Sequence, residues 1–464
     1  MKESIFKAYD IRGIYPTDLN EKDAQIIARA IYTFFAQKIG KKNLNLAVGK
    51  DMRSSSNPIM QTVIKEFVKM GGMVTNIGLT TTPTFYFSTL RLKYDAGLMV
   101  TASHNPKEYN GMKFVIRDGD NLIKVGKGSG MEEIAELSKS QKFVSYRQGG
   151  KEIKRNDTLK LELQDALKQF NPSKFQKFKI VTDTANGVAI LYLNELFKVI
   201  KAEVIHMNEK LDGTFPAHEA NPLKFETLRE LQKRVVKEKA DFGIAPDADG
   251  DRIFFIDEKG AIIPATGMTS LIAREILRKN KKAKIIVDIR DIRNVQAVCK
   301  KFKGTASISK VGHAFITKQL QKEGALFAGE SSGHYFFKET GGAENSLRVV
   351  LYVMNVLSRE KKPLSKIVEE LTTSVESGEF NFELPANVSA ADLLEKITKK
   401  YKSGKLSTLD GIAVDFKDWR FGVRTSNTEP VLRLNVEGAN DKIVQKNLKE
   451  ITNLILKAGA KRKS

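Results

Sequence analysis

The chain has 464 residues, of which 41% are hydrophobic and 28% are charged, proportions typical of a soluble globular protein. This length exceeds what one hydrophobic core supports, and it predicts three or four domains of about 100–150 residues each. The apolar runs are too short for a membrane-spanning helix, and the first residues do not resemble a secretory signal. Cys299 is the only cysteine, so an internal disulfide is excluded and we expect a reducing, cytoplasmic location.

The chain is strongly basic, with 77 Lys and Arg against 55 Asp and Glu and a formal net charge of +22. A positive field attracts anions, which include nucleic acids and phosphorylated metabolites. The lysines are spread along the whole chain, so a solvated Lys-rich surface explains the excess equally well. We find no basic stripe with interleaved aromatic residues, the pattern typical of nucleic-acid binding, and we expect neither a nucleic acid nor a membrane as partner.

Short strands alternate with amphipathic helices along most of the chain. The first stretch predicts strands at 44–48, 74–77 and 97–101 with helices at 58–70 and 82–92. The second predicts strands at 179–183, 203–206 and 241–245 with helices at 189–200 and 225–237. The third predicts helices at 268–278 and 292–302 around a strand at 285–288. This alternation is typical of parallel sheets covered by helices on both faces.

The last hundred residues follow a different pattern. Residues 431–436 alternate strictly, with Leu432, Leu434 and Val436 on one face, and an amphipathic helix follows at 443–455. The pattern indicates a half-buried antiparallel sheet that carries helices. We therefore predict an α/β protein with three related α/β domains of mixed, mostly parallel sheets and a C-terminal α+β domain. Polar and turn-forming stretches suggest domain limits of 1–150, 151–257, 258–373 and 374–464.

A candidate nucleophile, Ser103, lies in the sequence TASHNP at residues 101–106, directly after an apolar strand. Open α/β sheets place ligands at the carboxyl ends of their strands, and the Asn-Pro turn can keep the hydroxyl exposed. His104 could polarise that hydroxyl or orient the loop. An ordinary Ser/Asn/Pro turn is the alternative, and the Gly-x-Ser-x-Gly motif of hydrolases is absent.

Three aspartates at alternate positions, Asp247, Asp249 and Asp251, follow the strand at 241–245. Carboxylates packed this closely would repel one another unless they bind a cation, and few oxygen ligands favour Mg²⁺. A calcium loop needs a glycine at its sixth position, where this chain has Arg252. A solvated acidic turn remains the other alternative.

Two further loops carry polar groups suited to a sugar phosphate. Residues 329–334 place Gly329, Glu330, Ser332 and His334 between two apolar strands, a set that can bind sugar hydroxyls. Residues 424–430 carry hydroxyl, amide and guanidinium groups that can bind phosphate, namely Arg424, Ser426, Asn427 and Thr428, with Arg433 just beyond. Ordinary turns explain either loop alone, and nucleotide-binding motifs are absent. Together the four loops predict phosphoryl transfer between sugar hydroxyls.

In this order, the four loops resemble those of the α-D-phosphohexomutase family, most closely its bacterial phosphomannomutase/phosphoglucomutase branch. The resemblance extends over nearly the whole chain, from the sequence YDIRG at residues 9–13 to the loop at 424–430. It implies four domains around a central active-site cleft, each contributing one loop. Asn427 resembles this branch, whereas phosphoglucosamine mutases usually have glycine there.

The resemblance also implies a role for each loop. Ser103 would be the phosphoserine and would hold Mg²⁺ with the three aspartates. The loops at 329–334 and 424–428 would bind the sugar and the non-transferring phosphate. Further residues that would line the site are Arg12, Lys113, Arg252 and His313. Lys113 would accept the proton of the attacking hydroxyl, which requires a depressed pKa, although a strand lysine paired with an acid is the alternative.

The sequence therefore predicts an enzyme that interconverts hexose 1-phosphate and hexose 6-phosphate, with mannose, glucose or both as the sugar. A hexose 1,6-bisphosphate would serve as intermediate and activator. We expect a small phosphosugar as partner and a monomer or weak homodimer. The alternatives are a phosphoglucosamine mutase, a metal-dependent sugar phosphatase and a non-catalytic phosphosugar-binding protein.

Overall fold

A computed structural model describes residues 2–200, 202–385, 387–425 and 431–463 of the chain. The structure divides into two compact units. Unit 1 comprises Met1–Ile263 and Ser332–Ile367, and unit 2 comprises Pro264–Ser331 and Val368–Ser464. Within the described residues, every helix is too short or too polar to cross a membrane.

The first 155 residues fold around one mixed sheet. In chain order the elements are β1 (Ile11–Ile14), α1 (Glu21–Ile39), β2 (Asn45–Lys50), α2 (Ser56–Lys69), β3 (Met73–Leu79), α3 (Thr82–Arg91), β4 (Ala96–Val100), β5 (Tyr109–Asp118), β6 (Asn121–Lys124), α4 (Met131–Ser140) and β7 (Lys151–Lys154). The strands pair in the order β1-β5-β4-β2-β3-β7, with β6 beside β5. Strands β4, β2, β3 and β7 are parallel neighbours, and both faces of β4 are buried, which explains its continuous apolar sequence.

Helix α1 illustrates how the local sequence sets the limits of an element. The Asn20 side chain accepts hydrogen bonds from the backbone N–H groups of Lys22 and Asp23 and caps the first turn. Gly40 ends the helix with a φ of 73°, a conformation that costs glycine little. Between these residues, side chains such as Ile27 and Ile31 are fully buried in the core of the first domain.

The second sheet has a parallel centre and an antiparallel edge. Its elements are α5 (Thr158–Leu167), β8 (Phe178–Asp183), α6 (Ile190–Val199), β9 (Ala202–Met207), α7 (Arg229–Glu238), β10 (Phe242–Pro246), β11 (Ile253–Asp257) and β12 (Ile262–Ile263). The strand order is β12-β11-β10-β8-β9, in which β9, β8 and β10 run parallel. Strands β11 and β12 extend the sheet as an antiparallel hairpin.

The next elements are divided between the two units. They are α8 (Ala265–Lys279), β13 (Lys284–Asp288), α9 (Arg293–Lys301), β14 (Thr305–Ser309), α10 (His313–Glu323), β15 (Phe327–Gly329), β16 (Tyr335–Phe337), β17 (Ala343–Glu344), α11 (Ser346–Glu360) and α12 (Leu364–Glu369). In unit 2, strand β13 pairs in parallel with β14 on one side and β15 on the other. In unit 1, β16 and β17 form an antiparallel pair.

The C-terminal domain has an antiparallel sheet in the order β19-β20-β21-β22-β18-β23. Its elements are β18 (Val375–Glu383), α13 (Ala390–Lys400), β19 (Lys405–Ser407), β20 (Ile412–Asp415), β21 (Trp419–Thr425), β22 (Val431–Gly438), α14 (Asp441–Lys457) and β23 (Lys461–Lys463). Leu432, Leu434 and Val436 are fully buried and face helix residues such as Val444 and Ile451 in one core. The apolar residues of the alternating pattern in β22 therefore face the core, as predicted.

The predicted fold class is confirmed, since parallel-centred sheets with helices precede an antiparallel C-terminal sheet. The helix predicted at 225–237 differs in one respect: a 3₁₀ turn at Phe225–Leu228 precedes α7. The predicted domain limits remain a prediction. One of them, after residue 257, lies in the turn that joins the paired strands β11 and β12.

Candidate active site

Ser103 follows β4 at the carboxyl end of that strand, in a left-handed backbone conformation with a φ of 49°. Its N–H donates to the hydroxyl of Thr101 at 2.9 Å, and its side chain is buried. The Ser103 hydroxyl lies 3.2 Å from Nδ1 of His104 and donates to Oδ2 of Asp247 at 2.9 Å. A non-glycine residue in this region is strained, and such strain is concentrated at functional sites.

A buried arginine that the sequence did not single out holds the Ser103 loop. The guanidinium of Arg53 donates to four backbone carbonyls at 2.6–3.0 Å, those of Ser103, Asn105, Pro106 and Tyr109. Asp51 in turn accepts from the backbone N–H and the Nε of Arg53. Because each of these carbonyls needs a donor when it is buried, Arg53 fixes the shape of the loop.

The three aspartates at 247, 249 and 251 form a buried group after β10, which we call the aspartate cluster. One oxygen from each lies within 4.8 Å of the others. Gly250 permits this convergence because its φ is 76°, and its N–H donates to Oδ1 of Asp247 at 3.1 Å. Thr82, at the start of α3, donates to Oδ2 of Asp249 at 2.7 Å.

The aspartate cluster has the donor set of a hard divalent cation. Burial and the charges of Asp251 and Asp249 raise the pKa of Asp247 well above its ordinary value. Oδ1 of Asp249 is buried and has no hydrogen-bond partner among the described residues. An orphaned carboxylate oxygen beside two further carboxylates fits a bound metal ion, which would supply the missing positive charge.

Lys113 reaches the same cluster from β5. Its ammonium lies 2.8 Å from Oδ2 of Asp249 and 2.5 Å from Oδ2 of Asp251. Burial alone would lower the pKa of Lys113, but the charges of Asp249 and Asp251 outweigh burial and raise it. This is the opposite of the depressed pKa that a proton acceptor requires, and the contacts are those of a strand lysine paired with acids.

The predicted cationic and imidazole residues of unit 1 surround these groups. Arg12 binds the carboxylate of Asp10 and donates to the side-chain carbonyl of Asn105 in the Ser103 loop. Burial, followed by the charges of Arg252 and Arg12, holds the pKa of His104 well below its ordinary value, so its imidazole is neutral.

His334 belongs to the same group of unit 1. Its Nε2 lies 3.3 Å from Oδ1 of Asp251 and 3.3 Å from Nε of Arg252. Its Nδ1 contacts the hydroxyl of Ser332 at 2.9 Å. The part of the predicted sugar loop that lies in unit 1 is therefore directly joined to the aspartate cluster.

The remaining part of that loop lies in unit 2. Glu330 accepts a hydrogen bond from the N–H of Gly312 and forms an ion pair with Arg290 at 3.3 Å. His313 follows Gly312 and begins α10, so the structure brings Glu330 and His313 to the same place. Gly329 is required there because a Cβ atom would lie 2.0 Å from the hydroxyl of Thr269.

An arginine-rich group lies at the ends of β21 and β22. Glu379 forms ion pairs with Arg424 at 2.9 Å, with Arg433 at 3.0 Å and, more distantly, with Arg290 at 3.8 Å. Arg290 also pairs with Asp288 and Glu330, so Arg424 and Arg433 are the two guanidinium groups that share Glu379 and are suited to a phosphate. The predicted residues Ser426, Asn427 and Thr428 lie outside the described residues.

The structure thus brings together Ser103, Lys113, Arg252, His334 and the aspartate cluster in unit 1. Sequence reasoning missed three residues that hold these groups, Asp51, Arg53 and Thr82, and two residues of unit 2, Arg290 and Glu379, which pair with Glu330, Arg424 and Arg433. A sequence signal existed only for Asp51 and Arg53, which stand in GKDMR immediately after a predicted strand. The others form their contacts across long sequence separations.

Comparison with protein families covers nearly the whole chain. Four models of phosphoglucomutase/phosphomannomutase match in succession: α/β/α domain I at residues 3–143, domain II at 162–260, domain III at 266–375 and the C-terminal domain at 379–454.

Individual relatives agree with these models. A phosphomannomutase of Methanocaldococcus jannaschii is 36% identical, covering 98% of each chain. A phosphoglucomutase of Neisseria meningitidis is 32% identical, covering 95% of this chain and 94% of the relative. A crystal structure of a phosphoglucomutase/phosphomannomutase family protein from Burkholderia thailandensis is similar with a TM-score of 0.88 and 27% identity, covering 100% of this chain and 99% of that one.

Proposed function

Since the chain belongs to the phosphoglucomutase/phosphomannomutase family, we propose that it interconverts hexose 1-phosphate and hexose 6-phosphate through a phosphorylated Ser103. The observation that carries this proposal is the 2.9 Å contact between the Ser103 hydroxyl and Asp247 of the aspartate cluster. It joins a strained, buried hydroxyl to a group of carboxylates suited to a cation. The relatives' names include phosphomannomutase and phosphoglucomutase, so mannose, glucose or both are the proposed sugars.

In the proposed reaction, phosphorylated Ser103 donates its phosphoryl group to O6 or O1 of the bound hexose phosphate. The sugar oxygen gives up its proton, which ends on Oγ of Ser103, and forms the new bond to phosphorus as the bond from phosphorus to Oγ breaks. The hexose 1,6-bisphosphate then returns its other phosphoryl group to Ser103. Arg53 supports both steps by fixing the loop from which Oγ projects. The role of Lys113 as acceptor of the sugar proton stays a prediction.

We infer that the three aspartates, together with Ser103, hold Mg²⁺, which would neutralise charge on the transferring phosphoryl group. The protein's own cations would act on the same charge. Lys113 contacts the aspartate cluster, the guanidinium of Arg252 contacts His334 beside that cluster, and Arg12 reaches the Ser103 loop through Asn105. Because these groups are held by buried contacts, they need little reorganisation when charge develops.

Residues of unit 2 would bind the parts of the substrate that do not react. Glu330 and His313 would bind sugar hydroxyls, as would Ser332 and His334 of unit 1. Arg424 and Arg433 would bind the non-transferring phosphate, with the predicted help of Ser426, Asn427 and Thr428. When the phosphate binds, its contacts with these arginines would replace part of their ion pairing with Glu379.

We further propose that each of the four predicted domains contributes one of these loops. We also propose that the protein is cytoplasmic and that it is a monomer or weak homodimer.

Replacing Ser103 tests the proposal directly. We expect Ser103→Ala to lower the turnover of mannose and glucose 1-phosphates by at least about 10³-fold, because the nucleophile is lost. Ser173→Ala is the matched control, since Ser173 is exposed and bonds only within its own turn. Turnover is measured in a coupled assay with hexose 1,6-bisphosphate present. Near-normal turnover in the Ser103 variant would end the proposal.

Two further measurements separate the mutase from the alternatives. Intact-mass analysis should detect one phosphoryl group on the wild type and none on the Ser103→Ala variant, whereas a non-catalytic binding protein would carry none in either. Steady release of inorganic phosphate would indicate a phosphatase. A preference for glucosamine 1-phosphate over the mannose and glucose compounds would identify a phosphoglucosamine mutase.

A further inference from the structure

Unit 1 contains a cavity of about 830 Å³ that is separate from the candidate active site. Strands β2, β3 and β7, which run parallel, end at Lys50, Leu79 and Lys154, and all three residues line the cavity. Neither Ser103 nor any member of the aspartate cluster lines it. The carboxyl ends of parallel strands are where open α/β sheets bind ligands, and the volume lies in the range of about 300–1,000 Å³ found for small-molecule sites.

The cavity wall carries more basic than acidic side chains. Lys50, Lys154, Arg155 and Lys198 line it, against two acids, Glu152 and Glu195. Lys198 pairs with Glu195 at 2.5 Å, and Arg155 pairs with Asp157. Among the described residues, neither Lys50 nor Lys154 has a carboxylate partner. Two lysines are therefore available to an anion that enters the cavity, against one acid, Glu152, which accepts a hydrogen bond from Asn76.

Lys50 is the deeper of these two lysines, since it is partly buried whereas Lys154 is exposed. Burial lowers the pKa of Lys50, and the nearby charge of Asp51 only partly offsets this. A bound anion would stabilise the charged form of Lys50 and would gain affinity from doing so. Amide side chains, including those of Asn57, Gln61 and Asn194, complete a wall that can bind phosphate oxygens and hydroxyl groups.

The residues of this cavity are joined by the backbone to the candidate active site. The N–H of Thr80 donates to the carbonyl of Lys50 at 3.0 Å, and both residues line the cavity. Two residues further on, Thr82 donates its N–H to the carbonyl of Asp249 at 2.9 Å and its hydroxyl to the carboxylate of Asp249. Three residues beyond Lys50, Arg53 holds the Ser103 loop. A molecule that orders the end of β2 or β3 therefore acts within three residues of Arg53 or Thr82, which contact the Ser103 and Asp249 loops.

We propose that this cavity binds a phosphorylated small molecule of about nucleotide size, with Lys50 and Lys154 as the cations that contact its phosphate groups. The site is additional to the proposed mutase site. Its occupancy is coupled to the Ser103 and Asp249 loops through Arg53 and Thr82.

Calorimetric titration of the full chain with ADP, in EDTA and low salt, tests the binding. We expect ADP to bind more tightly than inorganic phosphate, because only ADP fills the cavity as well as contacting the lysines. The double variant Lys50→Gln/Lys154→Gln should weaken ADP binding by about 10-fold or more. Lys151→Gln, the same charge change at an exposed lysine of β7 that does not line the cavity, should bind ADP as the wild type does.

Hydrogen exchange on the same samples locates the bound molecule. ADP should slow exchange in the segments that contain Lys50 and residues 78–84 in the wild type and not in the double variant. Three results would each overturn the proposal: ADP fails to bind, ADP binds no more tightly than inorganic phosphate, or the double variant binds ADP as Lys151→Gln does. Because none of these measurements depends on turnover, their failure would leave the mutase proposal untouched.

Discussion

Each unit contains a group of interacting carboxylates, and the two groups are arranged in different ways. In unit 1 they are the aspartate cluster, which has one lysine partner and an orphaned oxygen on Asp249. In unit 2 they are Asp291, Glu376 and Glu437, which we call the junction carboxylates. The first group comes from a single loop of five residues, whereas the second comes from three distant segments.

Two of the three junction carboxylates are satisfied by the protein itself, whereas Oδ1 of Asp291 has no hydrogen-bond partner among the described residues. Glu437 accepts hydrogen bonds from the N–H groups of Ile292 and Arg293 at the start of α9 and lies 3.4 Å from the guanidinium of Arg420. Glu376 accepts from the hydroxyl of Thr266 and from the amide of Asn294. These donors leave Glu376 and Glu437 little capacity for a cation. Among the described residues, only the aspartate cluster brings one oxygen from each of three carboxylates within 4.8 Å of the others. Converging oxygens are suited to a metal, whereas carboxylates that accept from separate elements connect those elements.

A buried arginine accompanies each group. Arg53 donates to the carbonyls of the Ser103 loop, and Arg420 donates to the carbonyls of Ile289 and Arg290. Both side chains are almost completely buried. In both regions, a buried arginine therefore fixes a loop by donating to its backbone carbonyls. The regions differ in whether the carboxylates beside that loop remain available to a ligand.

Of the substitutions considered, Asp247→Asn should have the strongest effect on Mg²⁺ binding. We expect Mg²⁺ affinity to fall by more than about 100-fold, because the loss of even an outer partner of a metal ligand costs about 10–100-fold. Without Mg²⁺, the free energy of unfolding should rise by about 1 kcal/mol, since one of three repelling charges is removed. Calorimetry and urea unfolding measure the two quantities, with Asp120→Asn at an exposed position as control. Unchanged Mg²⁺ binding would place the metal elsewhere.

Replacing either buried arginine with lysine should lower the free energy of unfolding by about 2–4 kcal/mol, because buried carbonyls lose their donors. The kinetic consequences should differ. Arg53→Lys should lower kcat by about 100-fold by misplacing the nucleophile loop. Arg420→Lys should act mainly on KM, because β21 also carries Arg424 of the proposed phosphate site. Arg229→Lys, at an exposed position, is the control. Identical kinetic profiles for the two buried variants would contradict this difference between Arg53 and Arg420.

Glu376→Gln should change how stability depends on pH. Burial, followed by the charge of Glu437, raises the pKa of Glu376 to about 7, against an ordinary value of 4.5. The folded protein therefore binds a proton that the unfolded chain releases, so stability from this group is full below pH 4.5 and is lost as pH rises to about 7.

The amide of Glu376→Gln resembles the protonated glutamate side chain. The variant should therefore not show the loss of stability that Glu376 causes in the wild type as pH rises. At pH 8 we expect Glu376→Gln to unfold with a free energy up to about 3 kcal/mol above that of the wild type, and near pH 4.5 the two should agree. Chemical unfolding across this range checks the prediction, with Glu383→Gln at an exposed position on the same strand as control. If the difference in free energy of unfolding between Glu376→Gln and the wild type is the same at pH 8 as at pH 4.5, Glu376 does not titrate in this range.

The smallest effect on Mg²⁺ binding is expected for Glu437→Gln. Its amide oxygen can accept from only one of the N–H groups of Ile292 and Arg293, so the other N–H loses its acceptor, which costs about 1–3 kcal/mol of the free energy of unfolding. Loss of the ion pair with Arg420 adds to this cost. Urea unfolding measures the difference, and Mg²⁺ affinity should remain that of the wild type. A change in Mg²⁺ binding would contradict the separation of the two carboxylate groups.

Local pattern was sufficient for much of the fold and for part of the candidate site. The alternation of strands and helices predicted the sheets because apolar periodicity reports directly on which face is buried. The aspartate cluster could be predicted because its members lie in one loop. The depressed pKa expected for Lys113 was not found, because its two acid partners are 136 and 138 residues away in the sequence.

The sequence alone determined which chemical groups are present, their order along the chain and the loops that carry them, because strand and turn preferences act over a few residues. Which charges meet depends on tertiary packing. This packing placed Arg53 under the Ser103 loop, gathered arginines around Glu379 and left Lys50 and Lys154 beside an open cavity. Contacts of this kind depend on how sheets and helices pack, and side chains far apart in the chain carry no local signal of their future neighbours.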